Sequence, residues 1–80
     1  SMSLLFSESC NWSLIVKNPN QASDIISKNE KLEQIDHFNN KFIIKADKNQ
    51  KLEDINKIFS SSNVISINKE SNLIDYFKND

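Results

Sequence analysis

Polar and apolar residues alternate along "NWSLIVK". Trp12, Leu14 and Val16 fall on one side, and Ser13, Ile15 and Lys17 on the other. That is the period of a half-buried strand. The period then lengthens. In "NPNQASDIISKN", Ala22, Ile25 and Ile26 stand at i, i+3 and i+4, which makes one apolar stripe on a short amphipathic helix. Asn18 suits its cap and Pro19 its first turn. "KLEQIDHF" is ambiguous, because Leu32, Ile35 and Phe38 are spaced by three, closer to helix than to strand. The residues that follow decide for a strand. Asn39-Asn40 separates "IDHF" from "KFIIKA", and asparagine tolerates positive φ better than any residue except glycine. A two-residue turn of the I′ type, with positive φ at both central positions, therefore predicts an antiparallel hairpin. On this register Ile35 faces Ile44 and His37 faces Phe42, with an irregular entry near Leu32 absorbing the spacing. In the second arm Phe42, Ile44 and Ala46 share one face, and Lys41, Ile43 and Lys45 the other.

"DKNQKLEDINKIFSSSN" reads as a second helix. Asp47 and Gln50 fit a capping box, Leu52, Ile55 and Phe59 form its stripe, and Asn63 is placed for a left-handed end. "VISIN" is a fourth strand. "SNLIDYFKND" predicts a short closing helix capped by Asn72, with Leu73, Tyr76 and Phe77 at helical spacing. The order is strand, helix, strand, strand, helix, strand, helix. Two right-handed βαβ-like halves of this kind give an α+β, ferredoxin-like βαββαβ sandwich. Its four-stranded antiparallel sheet has both main helices on one face, plus the short C-terminal helix. Residues 1–11 are expected to be a tag-removal scar and lead-in, and residues 12–80 one domain.

Composition narrows the function classes. The 80 residues are 38% hydrophobic and 26% charged, which suits one globular domain with room for a core but not also for a deep walled pocket. The net charge is −1 and all ten basic residues are lysines interspersed with Asp and Glu. Without arginine forks or a basic block, nucleic-acid binding is not expected. A base-stacking sheet would also need aromatics, and this one offers mostly aliphatic residues. The absence of glycine excludes phosphate-cradling loops from this chain. Cys10 and His37 are the only cysteine and histidine, too few for a zinc site, and nothing in the order of elements brings them together as a nucleophile and base. Glu53 and Asp54 with Lys57 read as ordinary helix-surface charges. No catalytic, cofactor or metal residue is therefore expected. A lone thiol suits a reducing, cytoplasmic setting. No apolar run approaches membrane-span length, so no direct insertion is expected.

One feature of the pattern points outward. With both helices on one side of the sheet, the other side should be polar, yet alternation places Ile15, Phe38 and Ile43, and Val64 with them, on it. Such residues call for a cover. Either the closing helix supplies it through Leu73 and Phe77, or a second subunit or neighbouring domain does. The candidate interface is therefore Ile15, Phe38, Ile43, Leu73, Tyr76 and Phe77.

Three stretches resemble a known module. "NWSLIVKNPNQASDIISKN", with its aromatic-led strand and Asn-Pro helix start, is similar to the opening of the C-terminal accessory domain of bacitracin- and lantibiotic-type ABC transporter ATP-binding proteins. "KFIIKADKNQKLEDINKIFSSSNVISI" resembles its centre, where a strand ending in Ala-Asp runs into a helix and a last strand. "SNLIDYF" resembles its closing motif: Leu73, Asp75 and Phe77 match, Asn72 stands for the usual Ser, and Ile74 departs from the usual Glu. "SLLFSESC" is similar to the last helix of the preceding ATPase domain. The resemblance implies a non-catalytic accessory or regulatory domain of an exporter of peptide antibiotics or other drugs, with ATP and magnesium held upstream, outside these residues. It implies the preceding ATPase domain and a second ATPase subunit as partners, a copy of itself included. It also implies a place at the inner face of the cell membrane through the transporter. A rival expectation is a free-standing small-molecule-sensing domain that dimerises through its sheet, although such sites usually use the glycine-containing loops this chain lacks.

Overall fold

The computed structural model describes residues 8–70. Its elements run β1 (Ser9–Val16), α1 (Pro19–Lys28), β2 (Leu32–Phe38), β3 (Lys41–Asp47), α2 (Leu52–Ile58), a 3₁₀ turn (Ser60–Ser62) and β4 (Val64–Glu70). The strands form one antiparallel sheet in the order β2-β3-β1-β4. The described residues thus form an α+β structure, a four-stranded sheet with two α-helices. The expected closing helix lies outside the described residues.

Alternation in β1 and β3 works as the sequence implies. Trp12, Leu14 and Val16 of β1 and Phe42, Ile44 and Ala46 of β3 are buried on the same side. The register puts Trp12 opposite Ile44 and Leu14 opposite Phe42. Ala22 and Ile26 of α1, and Ile55 and Phe59 at α2 and its end, pack into the same cluster. Burying one such Ile or Phe side chain is worth about 1.5–3 kcal/mol, so this single layer of helix on sheet supplies the core. Strand β1 begins at Ser9, ahead of the expected Asn11, because the pairing with β3 continues to Asp47.

Three local expectations need correction. The hairpin pairs His37 with Phe42 as expected, but Gln34, not Ile35, stands opposite Ile44. Ile35 is the extra residue of a bulge between Gln34 and Asp36, and that bulge, rather than an irregular entry at Leu32, takes up the spacing by three. In the turn only Asn39 has positive φ, at 54°. Positive then negative φ is the sign pattern of a II′ turn, not I′. Asn40 serves differently: its Nδ2 donates to the Val16 carbonyl at 2.8 Å, anchoring the turn to the end of β1. Finally, α2 starts at Leu52, several residues after Asp47. The Asp47 carboxylate accepts the Asn49 backbone N–H at 2.8 Å, which makes a local turn instead of a cap. Asp54 does the capping, accepting the Lys51 N–H at 2.9 Å.

Helix α1 does start at Pro19 after Asn18, although the Asn18 side chain makes no capping bond. Asn63 ends the 3₁₀ turn in the left-handed region, φ 59°, as expected.

The turn yields a stability test. Asn39→Val places a β-branched residue at positive φ and should lower unfolding free energy by about 1–3 kcal/mol. Asn39→Gly should stay within about 0.5 kcal/mol of the parent, because glycine removes the steric conflict but loosens the unfolded chain. Urea denaturation of the three proteins checks both values. Equal losses for Val and Gly would mean that the Asn39 side chain, not its backbone, matters.

Candidate functional site

The side of the sheet away from the helices can be read as a grid from the registers. One row crosses Phe38, Lys41, Ile15 and Ser66; the next Asp36, Ile43, Ser13 and Asn68; the third Glu33, Lys45, Asn11 and Glu70. Ile15, Phe38 and Ile43 lie together on this outer face, as the alternation implied. Val64 does not. A second bulge leaves Ile65 unpaired on β4, so Val64 pairs with Val16 and packs against the core. Leu73, Tyr76 and Phe77, the other half of the expected interface, lie outside the described residues.

The three apolar residues of the face differ in state. Phe38, on the edge strand, is 74% exposed, and Ile15, at the centre, is 37% exposed. Ile43 between them is 3% exposed, and its neighbours Ser13 and Asn11 are also buried. The rest of the face is polar, with the carboxylates Glu33, Asp36 and Glu70 against the ammonium groups of Lys41 and Lys45. An exposed phenyl ring and a half-exposed isoleucine, rimmed by charges of both signs, make a contact patch rather than a reaction site.

The candidates for chemistry stay apart or take structural roles. Cys10 pairs opposite Ala46 and His37 opposite Phe42, four residues along β3, or about 13 Å at strand rise. The His37 ring stacks on Phe42 with centroids 3.9 Å apart and planes 12° from parallel. Its Nε2 lies 2.8 Å from the Asn39 carbonyl oxygen, so the histidine belongs to the hairpin turn. Asp54 is spent on the Lys51 N–H, as above. Among the described residues no group of three His, Cys, Asp or Glu could hold a metal ion, and no helix is long and apolar enough to cross a membrane.

Two of the concavities among the described residues have apolar walls on the helix side. An open groove of about 630 Å³ separates the end of α1 from Ile58. Ile25 gives it an apolar floor, and the exposed pair Lys28–Asp24 (3.1 Å) runs along its rim. A second cavity of about 500 Å³ lies between the β3–α2 connection, the first residue of α2, and β4. Its wall includes Trp12, Leu52, Lys48, Lys51 and Lys69. The sequence marks Trp12 only as a core residue. Nothing in the linear pattern signals this cavity, because its lysines come from a loop and a strand 18 residues or more apart.

No family model matches the chain, and no curated protein or solved structure matches it either.

The exposures separate the outer-face residues experimentally. Phe38→Asp should change unfolding free energy by no more than about 0.5 kcal/mol, as surface substitutions do. Ile43→Asp buries an unpaired carboxylate and should cost about 3 kcal/mol or more. Thermal or urea unfolding of both variants checks the contrast. A large loss with Phe38→Asp would place that ring in the core and refute the register.

Proposed function

We propose that this chain is a non-catalytic accessory domain with the ferredoxin-like fold. In this reading it follows the ATPase domain of an ABC exporter's ATP-binding subunit and works through protein–protein contact at the cytoplasmic face of the membrane. The observation that carries the reading is the exposed Phe38 ring beside the half-exposed Ile15 on the sheet face opposite the two described helices. A strand order of β2-β3-β1-β4 with every neighbour antiparallel supports the ferredoxin-like assignment, since two split βαβ halves interleave in that order. The Asn18-Pro19 helix start and the strand ending at Ala46-Asp47 support the resemblance to the exporter module. ATP and magnesium would belong to the upstream domain. The partner at Phe38 would be that domain, or the second ATPase subunit with its own copy of this module.

An immunoblot of the host's membrane and soluble fractions tests the reading. The native protein should run well above the 9.3 kDa of this chain and partly with membranes, and peptides from its band should include a P-loop sequence. In the same host, Phe38→Asp should lower export-dependent drug resistance while leaving the protein's abundance unchanged. A soluble native band at the size of this chain would overturn the transporter assignment and favour a free-standing sensing domain.

A further inference from the structure

Trp12 is 2% exposed, and its buried indole Nε1 has no hydrogen-bond partner among the described residues. A buried donor left unpaired is uncommon and calls for an explanation. Trp12 also forms part of the wall of the 500 Å³ cavity described above. Around that cavity stand three ammonium groups. Lys48 is paired with Glu8. Lys51 and Lys69 pair with no carboxylate among the described residues, and the Lys69 Nζ sits 5.9 Å from the centre of the Trp12 ring. At the rim Leu52 is 51% exposed, an apolar side chain with half its surface in water at the mouth of a cationic cavity.

We propose that this cavity binds a small organic carboxylate. One carboxylate oxygen accepts the Trp12 Nε1–H once a rim side chain swings aside. The Lys51 and Lys69 ammonium groups balance the charge, and the apolar body of the ligand lies along Leu52. Two cations without a carboxylate partner among the described residues and one neutral N–H suit a monoanion. The volume falls in the range of small-molecule sites, where apolar walls carry a few placed polar groups. The exposed Leu52 favours an organic anion over a bare inorganic one. The site lies on the opposite side of the sheet from Phe38 and goes beyond the contact function proposed above, so each stands or falls without the other.

The chain has one tryptophan, so both its fluorescence and its single indole N–H resonance report on this cavity alone. Titration of the full chain with benzoate should change Trp12 emission saturably and move the indole proton downfield, as expected for a donor that gains an acceptor. Benzamide, which keeps the ring but lacks the charge, should do neither, and inorganic phosphate should bind more weakly than benzoate. The double variant Lys51→Gln, Lys69→Gln should raise the Kd for benzoate roughly tenfold, a few-fold for each exposed charge contact, while its thermal midpoint stays at the parent value. Four results would overturn the proposal: no response to benzoate at ten millimolar, an equal response to benzamide, phosphate binding as tight as benzoate, or an unchanged Kd in the double variant.

Discussion

The end of β1 is the point on which the rest of the structure depends. Three backbone groups there meet two of the tight turns of the described chain. The Val16 N–H donates to the Asn40 carbonyl at 3.0 Å, the Lys17 N–H to the Asn63 carbonyl at 2.9 Å, and the Asn18 N–H to the Ser62 carbonyl at 3.0 Å. The Asn40 amide closes the circuit on the Val16 carbonyl. The hairpin that sets the register of β2 on β3, and the turn that delivers α2 into β4, are thus bonded to the same three residues. Directly after them Pro19 starts α1. The chain has no glycine, so the left-handed conformations at Asn39 and Asn63 fall to the residue that tolerates them next best. Both asparagines flank this junction.

From that junction β1 runs between β3 and β4 and divides the molecule by its alternation. Trp12, Leu14 and Val16 face the helices and are buried. Asn11, Ser13 and Ile15 face the other way, opposite Lys45, Ile43 and Lys41. The core needs the first set. The contact patch and the Trp12 cavity are consequences of where each set ends. Ile15 lies in the outer row that ends at the exposed Phe38. Trp12 lies nearest the β3–α2 connection, where the helix layer opens onto the cavity.

Legibility in the sequence follows the same division. β1 and β3 are central strands with one face under the helices, so period two survives in them and places Ile15 and Ile43 correctly. β2 is an edge strand, and its three apolar residues have three different roles. Leu32 enters the core, Ile35 is the bulge residue, and Phe38 points outward. A spacing of three that resembles a helix is what a bulged strand leaves behind, because the extra residue shifts the face of everything after it. The start of α2 was hidden for a different reason. Asp47 can accept either from a helix N-terminus or from the N–H two residues on, and only the folded chain shows that it takes Asn49. Val64 was misplaced by the bulge at Ile65, which linear alternation cannot register. The cavity was invisible because Trp12 meets Lys69 across the β1–β4 ladder, a pairing fixed by topology and not by spacing.

The two faces also set different conditions for function. The outer face has an aromatic ring in water next to a nearly closed isoleucine. Covering Phe38 and Ile15 would remove apolar surface from water without desolvating the carboxylates and ammonium groups of the rim, which can stay solvated or pair across a contact. The cavity holds a buried donor whose cost is offset when an acceptor arrives, with exposed ammonium groups around it. A patch that gains by burial and a cavity that gains by an anion respond to different partners, and both are built on β1. Occupancy of the cavity can reach the outer face only by changing how β1 pairs with β3 or β4. The junction at Val16–Asn18 ties one end of that ladder to two tight turns, and the Glu8 carbonyl, which accepts the Lys48 N–H at 3.2 Å, ties the Trp12 end to the connection that walls the cavity.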